Sequence, residues 1–524
     1  MRTLSILILL IFSPQPTFQQ EPTVCIIGSG IGGSSLAHFL RQYSSKNWHP
    51  RILMFERNGV VGGRMATVTI SGQTFEAGAS ILHPKNYHTV NFTKLLNLKP
   101  KDPPSSEDST AFGIWDGSKF VFKTISVSST VPFVQKIVSL ANSVLMVLRY
   151  GLSLLRMESF TESAVDKFLK YYESFETRPV FESVDEMLKW AGLFNLTARS
   201  LEEELIDARL SPLLMQELVT IAVEFSYHVN LYLLLTMKGL CVATNSIKTG
   251  IYVLFESIIT RINYGQSLSI SGLAGAVSLA GSGGGLWAVE GGNWQMAAGL
   301  INCSDVALHL HEEIESISYL REYYELNSTK GNSYTCQITV VATPLDELNL
   351  HFSPPISIPE RKLQHTHATF VRGALNPAYF GLDGVSKIPE LVATIEDPDL
   401  PFTCISVLKQ HDENDFTYKI FSRKPMTDTL LDDIFSVRKE TIRINWGAYP
   451  HYKAPEVFAP FILDGRHLYY VNAFENAAST METSAVAAEN VARLILSRFF
   501  SKPSVTSLNL KTSSDAREEL HLDL

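Results

Sequence analysis

The chain has 524 residues, of which 45% are hydrophobic and 19% are charged, a balance that excludes a disordered chain. The length exceeds what a single hydrophobic core usually supports, so we expect two or three interleaved lobes. The formal net charge of −9 excludes the basic field that holds nucleic acid, and we predict no nucleic-acid partner.

The first residues have the pattern of a secretory signal peptide. Met1 and Arg2 give a short positive start, Leu4 to Phe12 is apolar apart from Ser5, and a proline-containing turn ends the run. This apolar run is too short to span a bilayer. We therefore predict a signal peptide over residues 1–20, and the alternative is a buried N-terminal strand.

A βαβ unit follows the signal segment. Residues 24–27 form a short apolar run typical of a buried parallel strand, a helix is predicted to end near residue 43, and residues 51–56 form the second strand. This order predicts an α/β fold with a Rossmann-like dinucleotide-binding domain.

The turn between the first strand and the helix contains a G-x-G-x-x-G sequence. Gly28 permits the tight turn, Gly30 lets the backbone approach a pyrophosphate, and Gly33 lets the helix pack closely on the strand. Glu56 ends the second strand, where a carboxylate accepts hydrogen bonds from the ribose hydroxyls of an adenosine. The alternative is a glycine-rich turn beside a surface glutamate.

A second glycine element lies just beyond that acid. Gly62 and Gly63 let the chain pass tightly beside a pyrophosphate, and Arg64 adds charge and hydrogen-bond donors. The alternative is a hairpin turn with an exposed arginine.

From about residue 131 to residue 242 glycine becomes scarce and apolar residues recur at helical spacing, which predicts a mainly helical insert.

The later part of the chain returns to strands. Residues 338–342 form a buried strand that leaves the core at Pro344, and residues 366–409 mix β-branched and aromatic residues as a second sheet would. Residues 468–472 form another strand, followed by a turn and a long helix from Ser484 to about Arg498. The N-terminus of that helix is placed to stabilise negative charge, such as that on the pyrimidine edge of a reduced flavin.

Cysteines and glycosylation sequons bear on the compartment. Five cysteines, at positions 25, 241, 303, 336 and 404, form no CxxC pair, so we predict no zinc or other metal site. Cys25 lies in an apolar strand and is predicted to be a buried thiol outside any disulfide, with the pairing of the other four left open. Candidate glycosylation sites are Asn91, Asn195, Asn302 and Asn327.

This arrangement resembles the flavin amine oxidase superfamily. The shared elements are the N-terminal loop, the acid, the GG-R element, a mid-chain strand ending in Ala342-Thr343-Pro344 and the C-terminal helix. The resemblance implies non-covalently bound FAD as the cofactor. It also implies that Ile314 contacts the adenine through its backbone and that Glu475 and Thr483 belong to the cofactor site.

Within that superfamily the chain resembles the prenylcysteine oxidases, called farnesylcysteine lyases in plants. The resemblance is carried by residues 77–86, 261–266, 446–450 and 469–482. It implies that S-prenyl-cysteine, with farnesylcysteine favoured, reacts with molecular oxygen and water to give prenyl aldehyde, cysteine and hydrogen peroxide during degradation of prenylated proteins. It also implies a place in the secretory pathway, in a lysosome or vacuole lumen.

The same resemblance suggests residues around the substrate. His83 is a candidate catalytic residue near the flavin, and the alternative is a capping or core histidine. Arg261 and Tyr264 are candidates to hold the zwitterionic cysteine end, since an arginine suits a carboxylate. Trp446 and Tyr449 are candidates to wall the pocket, and the alternative is an aromatic cluster without a substrate role.

The predicted layout divides the chain into four kinds of region. Residues 21–100, 261–350 and 461–500 form the FAD-binding domain, residues 101–260 form the mainly helical substrate-binding insert, residues 351–460 form the substrate-domain sheet, and residues 501–524 form a flexible tail. The apolar insert suits an isoprenoid tail or a peripheral contact with a membrane. Other functions remain open: a flavin amine or polyamine oxidase, or a non-catalytic flavin- or lipid-binding protein.

Overall fold

The computed structural model describes residues 22–45, 48–101, 111–125, 132–173, 177–215, 260–281, 285–346 and 348–500. The predicted signal peptide, the tail after residue 500, Cys241 and much of the predicted insert lie outside the described residues.

The strands fall into sheets of five, seven, four and two members. Their bounds are β1 Thr23–Ile27, β2 Arg51–Glu56, β3 Thr67–Ile70, β4 Gln73–Glu76, β5 Phe112–Trp115, β6 Phe120–Lys123, β7 Val306–Leu310, β8 Ile314–Tyr319, β9 Tyr324–Ser328, β10 Ser333–Cys336, β11 Ile338–Val341, β12 His351–Ser353, β13 Leu363–Leu375, β14 Leu391–Thr394, β15 Cys404–Asp412, β16 Asp415–Ser422, β17 Phe435–Pro450 and β18 Leu468–Tyr470.

The described residues form twelve α-helices. Their bounds are α1 Ile31–Gln42, α2 Tyr87–Leu95, α3 Pro132–Tyr150, α4 Ser153–Phe168, α5 Val184–Ala191, α6 Asn195–Ala198, α7 Leu201–Asp207, α8 Thr260–Asn263, α9 Gly272–Ala280, α10 Trp294–Cys303, α11 Asp428–Ile434 and α12 Met481–Phe500. A 3₁₀ helix, Val471–Asn476, joins β18 to the loop before α12.

The five-stranded sheet is parallel throughout and has the order β18-β11-β1-β2-β7. Its inner strands read as continuous apolar runs because both faces are covered, β1 and β11 being almost wholly buried. Helix α1 packs against both α10 and α12. The order places β1 between β2 and β11, so loops from distant parts of the chain meet at one edge of the sheet, as in Rossmann-like folds.

The seven-stranded sheet has the order β17-β13-β16-β15-β14-β5-β6. It differs from the predicted layout, because β5 and β6 come from the stretch 101–260, which the sequence predicts to be mainly helical. β5 pairs in parallel with β14, nearly 280 residues later. β5 also forms a local antiparallel hairpin with β6 through a turn at Asp116 and Gly117. The predicted layout missed this hairpin because it extended the helical insert back to residue 101.

The helical group begins close to the predicted boundary, with α3 at Pro132, but it extends beyond residue 260. Helix α9 packs on α4, α6 and α7, so residues 272–280 belong with the helical group and not with the middle part of the FAD-binding domain. Among the described residues, none of the helices combines the length and apolar character needed to cross a bilayer.

The prediction that Cys25 stands outside any disulfide is wrong. Cys25 is bonded to Cys336, with a Cα–Cα distance of 5.9 Å. The reason is topological: Cys336 ends β10, and two residues later the chain enters β11, the hydrogen-bonded neighbour of β1. The disulfide joins segments 311 positions apart at the start of the main sheet.

Candidate functional site

A cavity of about 520 Å³ opens at the carboxyl ends of β1 and β2. Its walls come from the first glycine loop, the second glycine element, the end of β11, the start of β8, strands β13 and β17, and the start of α12. The volume lies within the range of about 300–1,000 Å³ that is usual for cofactor and ligand sites. Segments more than 400 residues apart therefore meet around one space.

The first glycine loop forms one end of the cavity. Gly28 has φ +108°, a conformation that side-chain-bearing residues rarely adopt. A Cβ on Gly33 would lie 2.1 Å from the carbonyl oxygen of Gly28, so only glycine allows α1 to pack this close to β1. A Cβ on Gly30 would meet nothing nearer than 3.8 Å, so the protein itself leaves that position open toward the cavity.

Glu56 lies at the edge of this loop and lines the cavity. One carboxylate oxygen accepts hydrogen bonds from the hydroxyl of Ser29 at 2.6 Å and from its N–H at 3.2 Å, and the other accepts from the side chain of Asn58 at 2.8 Å. These bonds fix the orientation of the carboxylate. The backbone N–H of Asn58 also donates to this carboxylate, at 2.9 Å. The four bonds fill the roughly four lone-pair sites of the carboxylate, so a ribose hydroxyl binds Glu56 by replacing one of these partners.

The second glycine element packs directly on the first. Gly62 and Gly63 both have positive φ, and the N–H of Gly62 donates to the carbonyl oxygen of Ser29 at 3.1 Å. Arg64 follows and lines the cavity. Its guanidinium donates to the carbonyl oxygen of Ala448 at 2.7 Å and forms an ion pair with Glu475 at 2.5 Å.

Glu475 lies behind the cavity wall and does not line the cavity. Its side chain is 2% exposed and pairs with Arg64 at 2.5 Å and with Arg361 at 3.1 Å. Burial alone would raise the pKa of this carboxyl, but the two guanidiniums, with hydrogen bonds from Asn472 and Ser479, outweigh it and lower the pKa to about 2. Glu475 is thus a permanently charged link between Arg64 and Arg361.

The N-terminus of α12 faces the other end of the cavity, where Thr480, Met481 and Ser484 form the wall. Thr483 does not line the cavity, because its hydroxyl is used in the turn: it accepts from the N–H of Thr480 at 2.8 Å and donates to a carbonyl at 2.9 Å. A twenty-residue helix places the positive end of its dipole here.

Glu482 anchors this helix to the rest of the protein. Its carboxylate accepts hydrogen bonds from the backbone N–H groups of His88 at 2.7 Å and Thr89 at 3.0 Å, at the start of α2, and from the hydroxyl of Tyr172 at 2.6 Å. The fixed carboxylate therefore holds the first turn of α12 against α2.

Strands β13 and β17 supply the wall on the substrate-domain side. Trp446, Tyr449, Asn445, His365 and Leu363 line the cavity there. The sequence had indicated Trp446 and Tyr449; His365 and Leu363 were missed, since only the pairing of β13 with β17 brings them to the site. The repeated histidines at 365 and 367, which share one face of a strand, were the one available signal.

Tyr264 lies one layer behind this wall. It is 3% exposed, its ring meets that of Tyr449 edge to face at 4.8 Å, and its hydroxyl donates to the carbonyl oxygen of Ser479 at 3.1 Å. Burial raises its pKa well above the ordinary value. Tyr264 thus supports Tyr449 and does not face the cavity. Arg261 lies in α8, and its side chain is outside what the structure describes.

His83 also stands apart from the cavity lining. Its Nδ1 accepts a hydrogen bond from the backbone N–H of Lys85 at 3.1 Å, and burial, with the charge of Lys85 adding to it, lowers its pKa to about 4. His83 is therefore a neutral ring that caps a turn, which is the alternative to a catalytic role given above.

Ile314 and the Ala342-Thr343-Pro344 segment do line the cavity.

These features fit FAD. Gly28, Gly30 and Gly63 line the cavity without side chains, a fixed carboxylate stands at the adenosine end, and a helix N-terminus stands at the far end. The described residues include no cluster of three or more His, Cys, Asp or Glu side chains placed to hold a metal ion.

Comparison with known proteins supports this assignment. The family described as "Prenylcysteine lyase" matches residues 133–250 and 253–506, and an NAD(P)-binding Rossmann-like domain matches residues 26–96. Farnesylcysteine lyase of Arabidopsis thaliana is 60% identical over 503 residues, covering 96% of this chain and 93% of the relative. Prenylcysteine oxidase 1 of Homo sapiens is 32% identical over 509 residues, covering 91% and 89%.

Solved structures show the same fold at low identity. Cyclohexylamine oxidase from Brevibacterium oxydans superposes with a TM-score of 0.55 at 15% identity, covering 92% of this chain and all of that one. Putrescine oxidase superposes with a TM-score of 0.54 at 13% identity, covering 91% and 99%. At these identities the likeness concerns the fold alone.

Proposed function

This chain belongs to the prenylcysteine lyase family, and from that premise we propose how its cavity receives the cofactor and the substrate. It is an FAD-dependent oxidoreductase that cleaves prenylcysteine. The observation that supports this activity best is a single cavity in which a dinucleotide-binding loop and an aromatic wall face each other.

The chain's own groups hold the cofactor at both ends. The backbone of Gly28 and Gly30 and the first turn of α1 bind the pyrophosphate, and Glu56 accepts hydrogen bonds from the ribose. The N-terminus of α12 stabilises negative charge on the pyrimidine edge of the flavin ring. FAD, when bound, supplies the acceptor for a hydride from the carbon attached to sulfur. Trp446 and Tyr449 limit the access of bulk water to that carbon.

We propose that the prenyl chain lies along the wall formed by Trp446, Tyr449 and Leu363. Apolar and aromatic side chains there match an isoprenoid tail, and each methylene-sized group that leaves water contributes roughly 0.8 kcal/mol. A farnesyl chain is the favoured substrate in this proposal, which the high identity to a farnesylcysteine lyase supports. The products are a prenyl aldehyde, cysteine and hydrogen peroxide, as required for the degradation of prenylated proteins.

Anaerobic reduction of the purified FAD-bound protein tests this proposal. Farnesylcysteine is expected to bleach the flavin absorbance, and air is expected to restore it with release of peroxide. Spermine serves as the control, because a polyamine oxidase of the same fold would be bleached by it instead. Bleaching by spermine but not by farnesylcysteine would overturn the assignment.

We propose that the chain enters the secretory pathway and works in a lysosome or vacuole lumen. The N-terminal pattern, the Cys25–Cys336 disulfide and three exposed sequon asparagines, Asn91, Asn195 and Asn302, support this route. Asn327 is a weaker acceptor in this proposal, since it is half-buried in β9. After expression in a plant secretory system, glycosidase treatment is expected to shift the protein to higher mobility, and Asn→Gln changes at the exposed sites are expected to remove that shift.

We further propose that α3 rests on a membrane surface. Phe133, Ile137 and Leu140 are 71%, 50% and 39% exposed, and Leu148 and Leu152 are 76% and 65% exposed, at helical spacing. A prenylated substrate concentrates in the same place. Leu148→Glu is expected to reduce co-sedimentation with phosphatidylcholine–phosphatidylserine vesicles. Val437→Glu, at a valine on β17 that is 48% exposed, is the control. Equal binding by both variants would contradict the proposal.

A further inference from the structure

A second cavity, of about 200 Å³, shares a wall with the cofactor cavity. The shared wall is the 3₁₀ helix Val471–Asn476. Val471 lines the cofactor cavity, Ala473 and Asn476 line the second cavity, and Asn472 lines both. One side chain therefore separates the two spaces at this point.

The inner end of the second cavity has unused hydrogen-bond acceptors. Asn472 and Asn476 are 8% and 7% exposed, and the side-chain oxygen of each receives no hydrogen bond from any described protein group. Their amide nitrogens are engaged, Asn472 with Glu475 at 3.1 Å and Asn476 with Glu456 at 2.9 Å, which fixes the direction of both oxygens. Buried acceptors of this kind are satisfied by ordered water.

The outer end of the same cavity opens to solvent. His451, Lys453 and Val457 stand at its rim, and Val457 is 64% exposed. A cavity of this volume has room for several water molecules, each of which occupies about 30 Å³ in the liquid. The cavity thus forms a polar passage that begins at the surface and ends at Asn472.

We propose that this passage is the inlet for the water that prenylcysteine cleavage consumes, and that Asn472 is the positioning residue at its inner end. The inference rests on the proposed function. In that reaction the carbon attached to sulfur loses a hydride, and the water oxygen then bonds to this carbon as a water proton leaves. The carbon–sulfur bond breaks to give aldehyde and thiol, and molecular oxygen accepts the two electrons and becomes hydrogen peroxide.

A separate route for water follows from the shape of the cofactor cavity. The substrate side is walled by Trp446, Tyr449 and Leu363, and a prenyl chain lying there excludes water from that direction. The shared wall is polar by contrast: Glu475 contacts Arg64, which lines the cofactor cavity, and Arg361, which lines the second one. Water reaching the reacting carbon from this side meets groups that it can hydrogen-bond.

Two substitutions close the passage at different points. Asn472→Leu keeps the side-chain size and removes the amide oxygen at the inner end, together with the hydrogen bond from the amide nitrogen to Glu475. Val457→Trp narrows the outer mouth without touching the cofactor cavity. Val437→Trp, at an exposed valine on β17, is the matched control for the added bulk. If Asn472→Leu does not fold, Val457→Trp still tests the proposal.

The measurements separate hydride removal from hydrolysis. With farnesylcysteine under anaerobic conditions, flavin bleaching is expected to keep its wild-type rate in Val457→Trp. In both passage variants aldehyde release is expected to slow about tenfold relative to bleaching, the loss expected for one hydrogen bond to the water. The control is expected to match the wild type. Aldehyde release that keeps pace with flavin bleaching in both variants would overturn the proposal of a water inlet. If farnesylcysteine does not bleach the flavin of the wild-type protein, the proposed function is overturned instead.

A crystal structure of the FAD-bound protein gives a readout that does not depend on turnover. It is expected to show ordered water within about 3.2 Å of the side-chain oxygen of Asn472. A protein group or a dry apolar contact at that oxygen would refute the inlet.

Discussion

Gly30 and Gly33 lie in different surroundings, so alanine substitutions at the two positions distinguish an effect on cofactor binding from an effect on folding. Gly30→Ala places a methyl group where the protein leaves room, so the stability of the FAD-free protein is expected to change by less than about 0.5 kcal/mol. The same methyl group obstructs the pyrophosphate, so FAD affinity is expected to fall at least about tenfold. Flavin-fluorescence titration and thermal melting measure the two effects. Gly33→Ala is the contrast, since its Cβ collides with Gly28 and is expected to lower both stability and affinity.

Glu475 makes the stability of the protein depend on pH. Its pKa is lowered from 4.5 to about 2, so the charged carboxylate stabilises the fold above about pH 4.5, and this contribution is lost as the pH falls toward about 2. Glu475→Gln leaves Arg64, whose side chain is 30% exposed, without its counter-charge, while Arg361 keeps its ion pair with Asp346 at 2.5 Å. The change is therefore expected to cost about 1–3 kcal/mol. Denaturant unfolding at several pH values is expected to show that acidification lowers the free energy of unfolding less in the variant than in the wild type. A variant with the same acid slope as the wild type would contradict this account.

Residues whose roles depend on local backbone could be predicted from the sequence, and residues whose roles depend on distant partners could not. The glycines of the first loop follow a spacing that a turn and a helix start impose, and Glu56 ends the strand that follows. Arg361 and His365 reach the site only through pairings with segments near residues 445 and 475. No local pattern encodes those pairings.

Among the secondary-structure elements, the same distinction separates β1 from β5. The apolar run of β1 between turn residues predicts a buried strand, and the structure confirms the Rossmann-like domain it belongs to. β5 is four residues long and finds its parallel partner in β14. The next element along the chain is β6, its antiparallel hairpin partner, so the predicted layout missed a local signal as well as the distant pairing.

The disulfide at the start of the main sheet is expected to stabilise the FAD-binding domain. Cys336→Ser removes a cross-link between segments 311 positions apart and is expected to lower the free energy of unfolding by about 2–5 kcal/mol. Cys303→Ser is the control, because Cys303 is exposed and lies outside the disulfide. Chemical denaturation with and without reductant measures both. A reductant effect equal in the wild type and in Cys336→Ser would show that the bond does not stabilise the fold.

For the whole molecule, the central fact is that one cavity is built from the beginning, the middle and the end of the chain. The strand order of the five-stranded sheet brings the glycine loop and the start of α12 together, and Ile314 completes the same cavity. A ligand that spans the cavity therefore stabilises contacts between segments that have few local interactions in common, and its binding free energy adds to the stability of the entire fold.

FAD and ADP are expected to protect different parts of the chain from hydrogen exchange. At saturation, ADP contacts only the adenosine end, so exchange is expected to slow in residues 28–33 and not in residues 471–484. FAD reaches both ends of the cavity and is expected to slow exchange in both segments, because it orders the first turn of α12 as well as the glycine loop. Hydrogen-exchange mass spectrometry of the FAD-free protein, with each ligand added in turn, makes the comparison. If FAD protects the glycine loop alone, the flavin ring does not lie at the N-terminus of α12.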